Sequence, residues 1–327
     1  MSRQRIFKAF KYSVTTALLL WVIASIVRQG GAASLGERLL HLRFEWIGAA
    51  VVLQFLAIVF GVLRWRELLR ERHFELPLGW LVRVYFVGRF VGAFTPSTTG
   101  LDLYRVVEVA RRTGRKAPSA AVLFAEKCIG LLGLVLLSLL LIPFGADRFL
   151  GASSFWTAVA MVVAAGLGLV GLARPAVFRA WIRWLPRRFA DFGETAISAL
   201  EERKPGVASS LRALGFGSLS HAATAAVFVG TGLSLGVSAP VLDLLIVGNV
   251  IIIATLLPIS IGGVGVRESV AVMLLATLGV SASDATLVAL LGYVVGQAPA
   301  LVGGGYLLAP ATGAQSQASA TPLPTER

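Results

Sequence analysis

Two segments of this sequence interrupt apolar runs in the same way and bring charge to the break. The first is FTPSTTGLDLYRVVE at 94–108, and the second is LLPISIGGVGVRESV at 256–270. Aligned on proline, Pro96 matches Pro258, Gly100 matches Gly262 and Arg105 matches Arg267, so both read P-x3-G-x4-R. Proline and glycine unwind a helix in an apolar medium and free backbone N–H and C=O groups that then need partners. An arginine close to such a break offers a planar fork that holds a carboxylate or a lipid phosphate. Interrupted segments in corresponding halves of a transporter point to a substrate site near the middle of the membrane. The chemistry this implies is recognition of an anionic headgroup, with two loop ends sharing residues by chance as the bland alternative.

The acidic residues sharpen this expectation. Asp102, Glu108, Glu126, Asp243 and Glu268 lie in or beside apolar runs, where an unpaired charge costs on the order of 3 kcal/mol or more. Each therefore needs a cationic partner or an aqueous cavity. Lys127 is next to Glu126, but adjacent helical residues do not face each other. Glu126 is expected to pair instead with Arg105 or Arg267 from another segment, while Asp102 and Glu268 hold neighbouring arginines. The candidate headgroup-binding set is Pro96, Gly100, Asp102, Arg105, Glu126, Lys127, Pro258, Gly262, Gly263, Arg267 and Glu268; a purely structural ion-pair network is the other reading of the charged members.

Other chemistries find little support. His41, His73 and His221 lack metal-ligand spacing, and His221 in an apolar run reads as a hydrogen-bonded core residue. Gly263 and Gly265 do not complete a dinucleotide fingerprint, and no P-loop, G-x-S-x-G or H-E-x-x-H occurs. A single cysteine, Cys128, excludes an intramolecular disulfide framework. No catalytic residue, metal or cofactor is assigned.

The elements that must position these residues are membrane helices. The chain has 327 residues, is 56% hydrophobic and only 14% charged, and its mean hydropathy is +0.79. That is far from the composition of a soluble domain. Its apolar residues fall in blocks long enough to cross a hydrocarbon core of roughly 30 Å. Spans are expected at 12–28, 44–64, 117–143, 153–173, 209–236, 240–258 and 284–308, with weaker segments at 78–95 and 266–280. The fold class is an all-α polytopic membrane protein of about seven or eight transmembrane helices plus one or two re-entrant segments. Residues 1–310 form one membrane domain with a possible internal repeat, and 311–327 is a small-residue, polar tail with the composition of a disordered segment.

The net charge of +13 would suggest nucleic acid on a soluble protein. Here the basic residues cluster between spans, before residue 12, at 64–83, at 105–116 and at 174–212, so they mark cytoplasmic loops and anionic lipid contacts instead. This places the N-terminus in the cytoplasm, on an uncleaved first helix of a multi-pass protein of the inner (cytoplasmic) membrane. Basic clusters flank 78–95 on both sides, so that segment is expected to dip into the membrane and return, or to lie on its surface. In 174–189, Phe178, Trp181 and Trp184 recur between arginines at about helical spacing, the composition of a helix lying in the interface plane.

At these residues the sequence resembles the transmembrane region of lysylphosphatidylglycerol synthases and the stand-alone, flippase-like membrane proteins related to it. The resemblance covers about 10–310. It rests on P-S-x-x-G-x-D-x-x-R at Pro96 to Arg105, on Glu126, Lys127 and Gly130, and on L-P-I-S-x-x-G-x-G-x-R-E at Leu257 to Glu268. The family usually has Gly-Gly-Asp where this chain reads Gly100-Leu101-Asp102, and arginine in place of Lys127. The resemblance implies movement of a phospholipid or lipid-linked headgroup between leaflets. Aminoacyl transfer is not expected, because the synthases carry an additional soluble domain and this chain stops at Arg327. The expected partners are anionic membrane lipids, and a second copy or a lipid-modifying enzyme is possible. A membrane-embedded enzyme or accessory subunit of glycolipid or polyprenyl-phosphate metabolism, with Asp102 or Glu268 as base, is the first alternative. A scaffold presenting its basic face to partners is the second.

Overall fold

The computed structural model describes residues 40–93, 99–149, 163, 166–168, 170, 174–184, 187–202, 205–256 and 263–308. No strand occurs among them. The helices are α1 (Phe44–Glu71), α2 (Leu78–Ala93), α3 (Thr99–Thr113), α4 (Lys116–Phe149), α5 (Arg179–Ile182), α6 (Arg187–Glu202), α7 (Val207–Ser234), α8 (Val241–Leu256), α9 (Val266–Ala276) and α10 (Ala282–Leu308). Apolar runs become helices because hydrocarbon offers backbone groups no outside partner. Four stretches are long and apolar enough to cross a membrane: Phe44–Glu71, Lys116–Leu141, Val207–Ser234 and Ala282–Leu308. The chain is an all-α, multi-pass membrane protein. The expected span at 12–28, most of that at 153–173 and the tail at 311–327 lie outside the described residues.

The centre of the bundle is the antiparallel pair α1 and α7. Gly230 packs on Ala50 and the Trp46 carbonyl, and Ser220 Oγ donates to the Ala57 carbonyl at 2.9 Å. Further along, Arg212 bonds Glu67 at 2.8 Å, and the Gly206 N–H and Ser209 hydroxyl donate to Glu71. Small residues let the two backbones approach closely, as helices in lipid require. The C-terminal end of α1 and the N-terminal end of α7 thus share one face with Arg66, Arg70 and Arg72, the basic face. At the opposite face the Arg43 N–H donates to the Ser234 carbonyl at 2.9 Å.

Two helical hairpins enter this frame. In the first, Arg112 near the end of α3 lies over Trp80 near the start of α2 (5.1 Å), while Gly92 near the end of α2 meets Leu101 near the start of α3. Arg115 then donates to the Arg72 carbonyl at 3.0 Å, so both limbs open on the basic face. The re-entrant segment expected within 78–95 is therefore larger: α2 is only its entering limb, unbroken through Ala93, and α3 is the return. Residues 94–98, with Pro96, lie between the two limbs and outside the described residues. In the second, the described helix α8, Val241–Leu256, falls within the expected span 240–258, and α9 packs back on it.

The segment 174–189 is not one interfacial helix. It forms a 3-10 turn at Pro175–Phe178, the short α5 and a turn before α6. Phe178 packs edge-on against Phe124 of α4 at 5.5 Å, while Trp181 and Trp184 remain 68% and 72% exposed. Arg179 ties the turn to α6 through Glu194 at 2.6 Å and Glu201 at 2.7 Å. Its hydrogen bond to Glu194, with the charges of both carboxylates, holds the guanidinium pKa above its ordinary value against a smaller effect of burial.

α10 contacts α2 through Gly303, where an added Cβ would collide with the Phe86 carbonyl, whereas a Cβ on Gly305 meets nothing within 4 Å. Gly303→Ala should lower stability by about 1–3 kcal/mol, the usual cost of overpacking, and Gly305→Ala should leave it unchanged. Thermal unfolding in detergent distinguishes the two.

Candidate functional site

Asp102 and Arg105 share one face of α3, three residues apart. Arg105 Nη2 donates to Asp102 Oδ1 at 2.7 Å. Its Nη1 reaches both oxygens of Glu126 on α4, at 3.2 and 3.0 Å. Arg64, from α1, donates to the same Glu126 Oε1 at 2.9 Å. Lys127 Nζ lies 2.6 Å from Asp102 Oδ2. The adjacent pair Glu126 and Lys127 thus point at different partners, as helix geometry demands. The guanidinium of Arg105 also lies over Trp65 of α1 (5.1 Å) and Tyr85 of α2 (4.8 Å), so side chains from four helices converge on it.

The series Arg64–Glu126–Arg105–Asp102–Lys127 matches three cations to two carboxylates and carries one net positive charge. Arg105 and Glu126 are each 2% exposed, while the Lys127 side chain is 54% exposed. The network is buried at one end and open at the other. Such a cluster is costly to assemble and costlier to break, since removing one partner strands a buried charge.

The second break is built differently. Gly265 (φ 81°) precedes α9, and its N–H donates to Glu268 Oε2 at 2.7 Å, so Glu268 caps its own helix. Its other oxygen is 3.7 Å from Arg267 Nη1. Arg267 stacks over Tyr293 of α10 at 4.3 Å. Gly263 (φ 76°) needs glycine twice over, because a Cβ there would also press on Thr255 at 2.9 Å and Arg267 Nη2 at 3.2 Å.

Of the two partners expected for Glu126, the structure supplies Arg105, and it adds Arg64. Asp102 and Glu268 each sit beside the neighbouring arginine, as expected. Gly100 lies in the first turn of α3. Pro96, Pro258 and Gly262 lie outside the described residues. Glu108 is no part of the network: it pairs with Arg111 on the surface at 3.3 Å. Asp243 is buried in the first turn of α8, where a helix N-terminus favours negative charge. His221 Nε2 is 3.1 Å from the Gly130 carbonyl, an ordinary core contact. No metal-ligating cluster occurs among the described residues.

Sequence reasoning missed Arg64, Trp65, Tyr85 and Tyr293. Arg64 was counted with the basic residues that flank spans, and nothing local distinguishes it from them. Arg89 of α2 donates to the Gly296 carbonyl of α10 at 2.5 Å. That carbonyl lies one residue beyond Val295, whose acceptor Pro299 leaves without an intrahelical donor.

The two arginine-bearing breaks, held inside a bundle of apolar helices, are the features the sequence motifs had marked. A family model described as "Lysylphosphatidylglycerol synthase TM region" matches residues 9–304. The chain belongs to this family. No curated protein matches it. In this member of the lysylphosphatidylglycerol synthase transmembrane-region family, the matched stretch includes both broken segments and every charged residue of the network.

Glu126→Ala should cost about 3–5 kcal/mol by stranding Arg105 and Arg64. Glu108→Ala, at a surface pair, should cost less than about 1 kcal/mol. Denaturation midpoints of the detergent-solubilised variants would reverse this order if the network carried no structural energy.

Proposed function

We propose that this protein moves an anionic phospholipid or lipid-linked headgroup between the leaflets of the cytoplasmic membrane. The observation that carries the reading is the buried ionic series ending in half-exposed Lys127, with its one net positive charge beside a broken hairpin. Ionisable groups inside a membrane are expensive and concentrate along substrate pathways. A phosphate arriving at Lys127 meets that unmatched charge. Lys127 is then shared between Asp102 and the incoming phosphate, and a basic headgroup group such as a lysyl amine finds carboxylates within the same series. The family's name supports a lipid of that kind, since lysylphosphatidylglycerol joins an anionic phosphate to a basic lysyl group.

Arg267 supplies the second contact. Stacked on Tyr293 beside the turn at Gly263 and Gly265, it presents a guanidinium that a phosphate engages through paired N–H donors. Acyl chains stay in the bilayer while the headgroup passes between the breaks. In this reading the basic face is cytoplasmic, consistent with the positive-inside distribution. Movement is passive or driven by a gradient.

The test is reconstitution into liposomes with a fluorescent anionic phospholipid, whose outer-leaflet fraction is bleached by an impermeant reductant. Wild-type protein and Arg212→Ala, altered at a surface pair, should expose the inner-leaflet probe, and Arg267→Ala should slow this at least tenfold. Exchange by folded Arg267→Ala at the wild-type rate, or chemical conversion of the lipid without exchange, would overturn the proposal.

A further inference from the structure

The two halves of the described bundle repeat one another element by element. α1 and α7 each have 28 residues, and each is followed by a second apolar helix, α2 or α8. Each pair is followed by the shorter return helix that carries the arginine, α3 or α9. Next comes a long helix, α4 or α10.

The contacts between halves repeat as well. Ala57 and Ser220, which share a hydrogen bond, are each the fourteenth residue of their helix. Equivalent positions meet in this way only close to a two-fold axis. α2 packs on α10, and α8 packs on α4. Phe86, ninth in α2, meets Gly303, twenty-second in α10. Asn249, ninth in α8, donates at 2.7 Å to Ser138, twenty-third in α4. Chance similarity of helix lengths does not generate reciprocal contacts at positions that match to within one residue.

Because α1 and α7 are antiparallel, an axis relating them lies across the bundle and turns one half over. The ends of the hairpins agree with this. The α2–α3 hairpin opens on the basic face, where Arg115 meets Arg72. The α8–α9 hairpin opens on the other: α8 follows the end of α7, and α10 begins beside that same end, where Thr231 Oγ1 donates to the Val288 carbonyl at 3.1 Å.

We propose that the chain is an inverted-topology duplication in which one arginine-bearing hairpin enters from each face of the membrane. The Arg105 hairpin enters from the basic face and the Arg267 hairpin from the opposite one. The halves have diverged in charge: Arg267 faces the Tyr293 ring of α10 where Arg105 faces the Glu126 carboxylate of α4. That each arginine meets headgroups of its own leaflet rests on the transport reading above. The topology does not.

Single cysteines on a Cys128→Ala background test the topology, using an impermeant maleimide on right-side-out and inside-out membrane vesicles. Glu75→Cys and Lys116→Cys mark the mouth of the first hairpin, and Ser238→Cys and Thr277→Cys mark that of the second. Each pair should label in only one vesicle orientation, and the two pairs in opposite ones, with all four labelled after detergent permeabilisation. Labelling of all four from the same side would overturn the duplication. Opposite labelling without lipid exchange in liposomes would leave the topology standing and remove the transport reading alone.

Discussion

Arg105 is buried where α1, α2, α3 and α4 meet, and its charge must be matched there because lipid cannot match it. Asp102 and Glu126 take its two nitrogens, Trp65 and Tyr85 flank its plane, and Arg64 and Lys127 take up what remains of the carboxylates. Much else follows from this requirement. α3 must return along α2 to bring Asp102 and Arg105 to α4, and α4 must start on the basic face to bring Glu126 level with them. The break that lets α3 return is the same break that interrupts the apolar pattern.

The second half meets the same backbone constraint with less charge. Glu268 serves its own helix as a cap, and Arg267 rests on an aromatic ring. Arg105 is fixed between two carboxylates, whereas Arg267 has Glu268 at 3.7 Å and an aromatic ring against its plane. In the proposed function the first arginine secures a hairpin as well as offering charge, and the second contacts the headgroup. In the proposed cycle the two are complementary: one keeps the pathway built, and the other releases what it binds.

The sequence was most legible where physical rules are one-dimensional. Hydropathy placed α1, α4, α7 and α10 within a few residues, because a span is a property of a contiguous window. The P-x3-G-x4-R pair marked Arg105 and Arg267 near the starts of α3 and α9, and the rule that neighbouring helical residues diverge turned Glu126 from Lys127 toward Arg105 or Arg267, of which the structure supplies Arg105. What failed depended on tertiary pairing. Segment 174–189 has the spacing of an interfacial helix, but Phe178 is drawn onto Phe124. Arg64 looked like any basic residue at a span end until α3 and α4 were placed against it.

The central claim is that the charged breaks hold an anionic headgroup, and native mass spectrometry of the protein released from detergent tests it most directly. The account predicts that wild-type protein retains anionic phospholipid in preference to zwitterionic lipid. Arg267→Ala, with an unchanged unfolding temperature, should lose that preference. Equal retention of anionic and zwitterionic lipids by both proteins would contradict it.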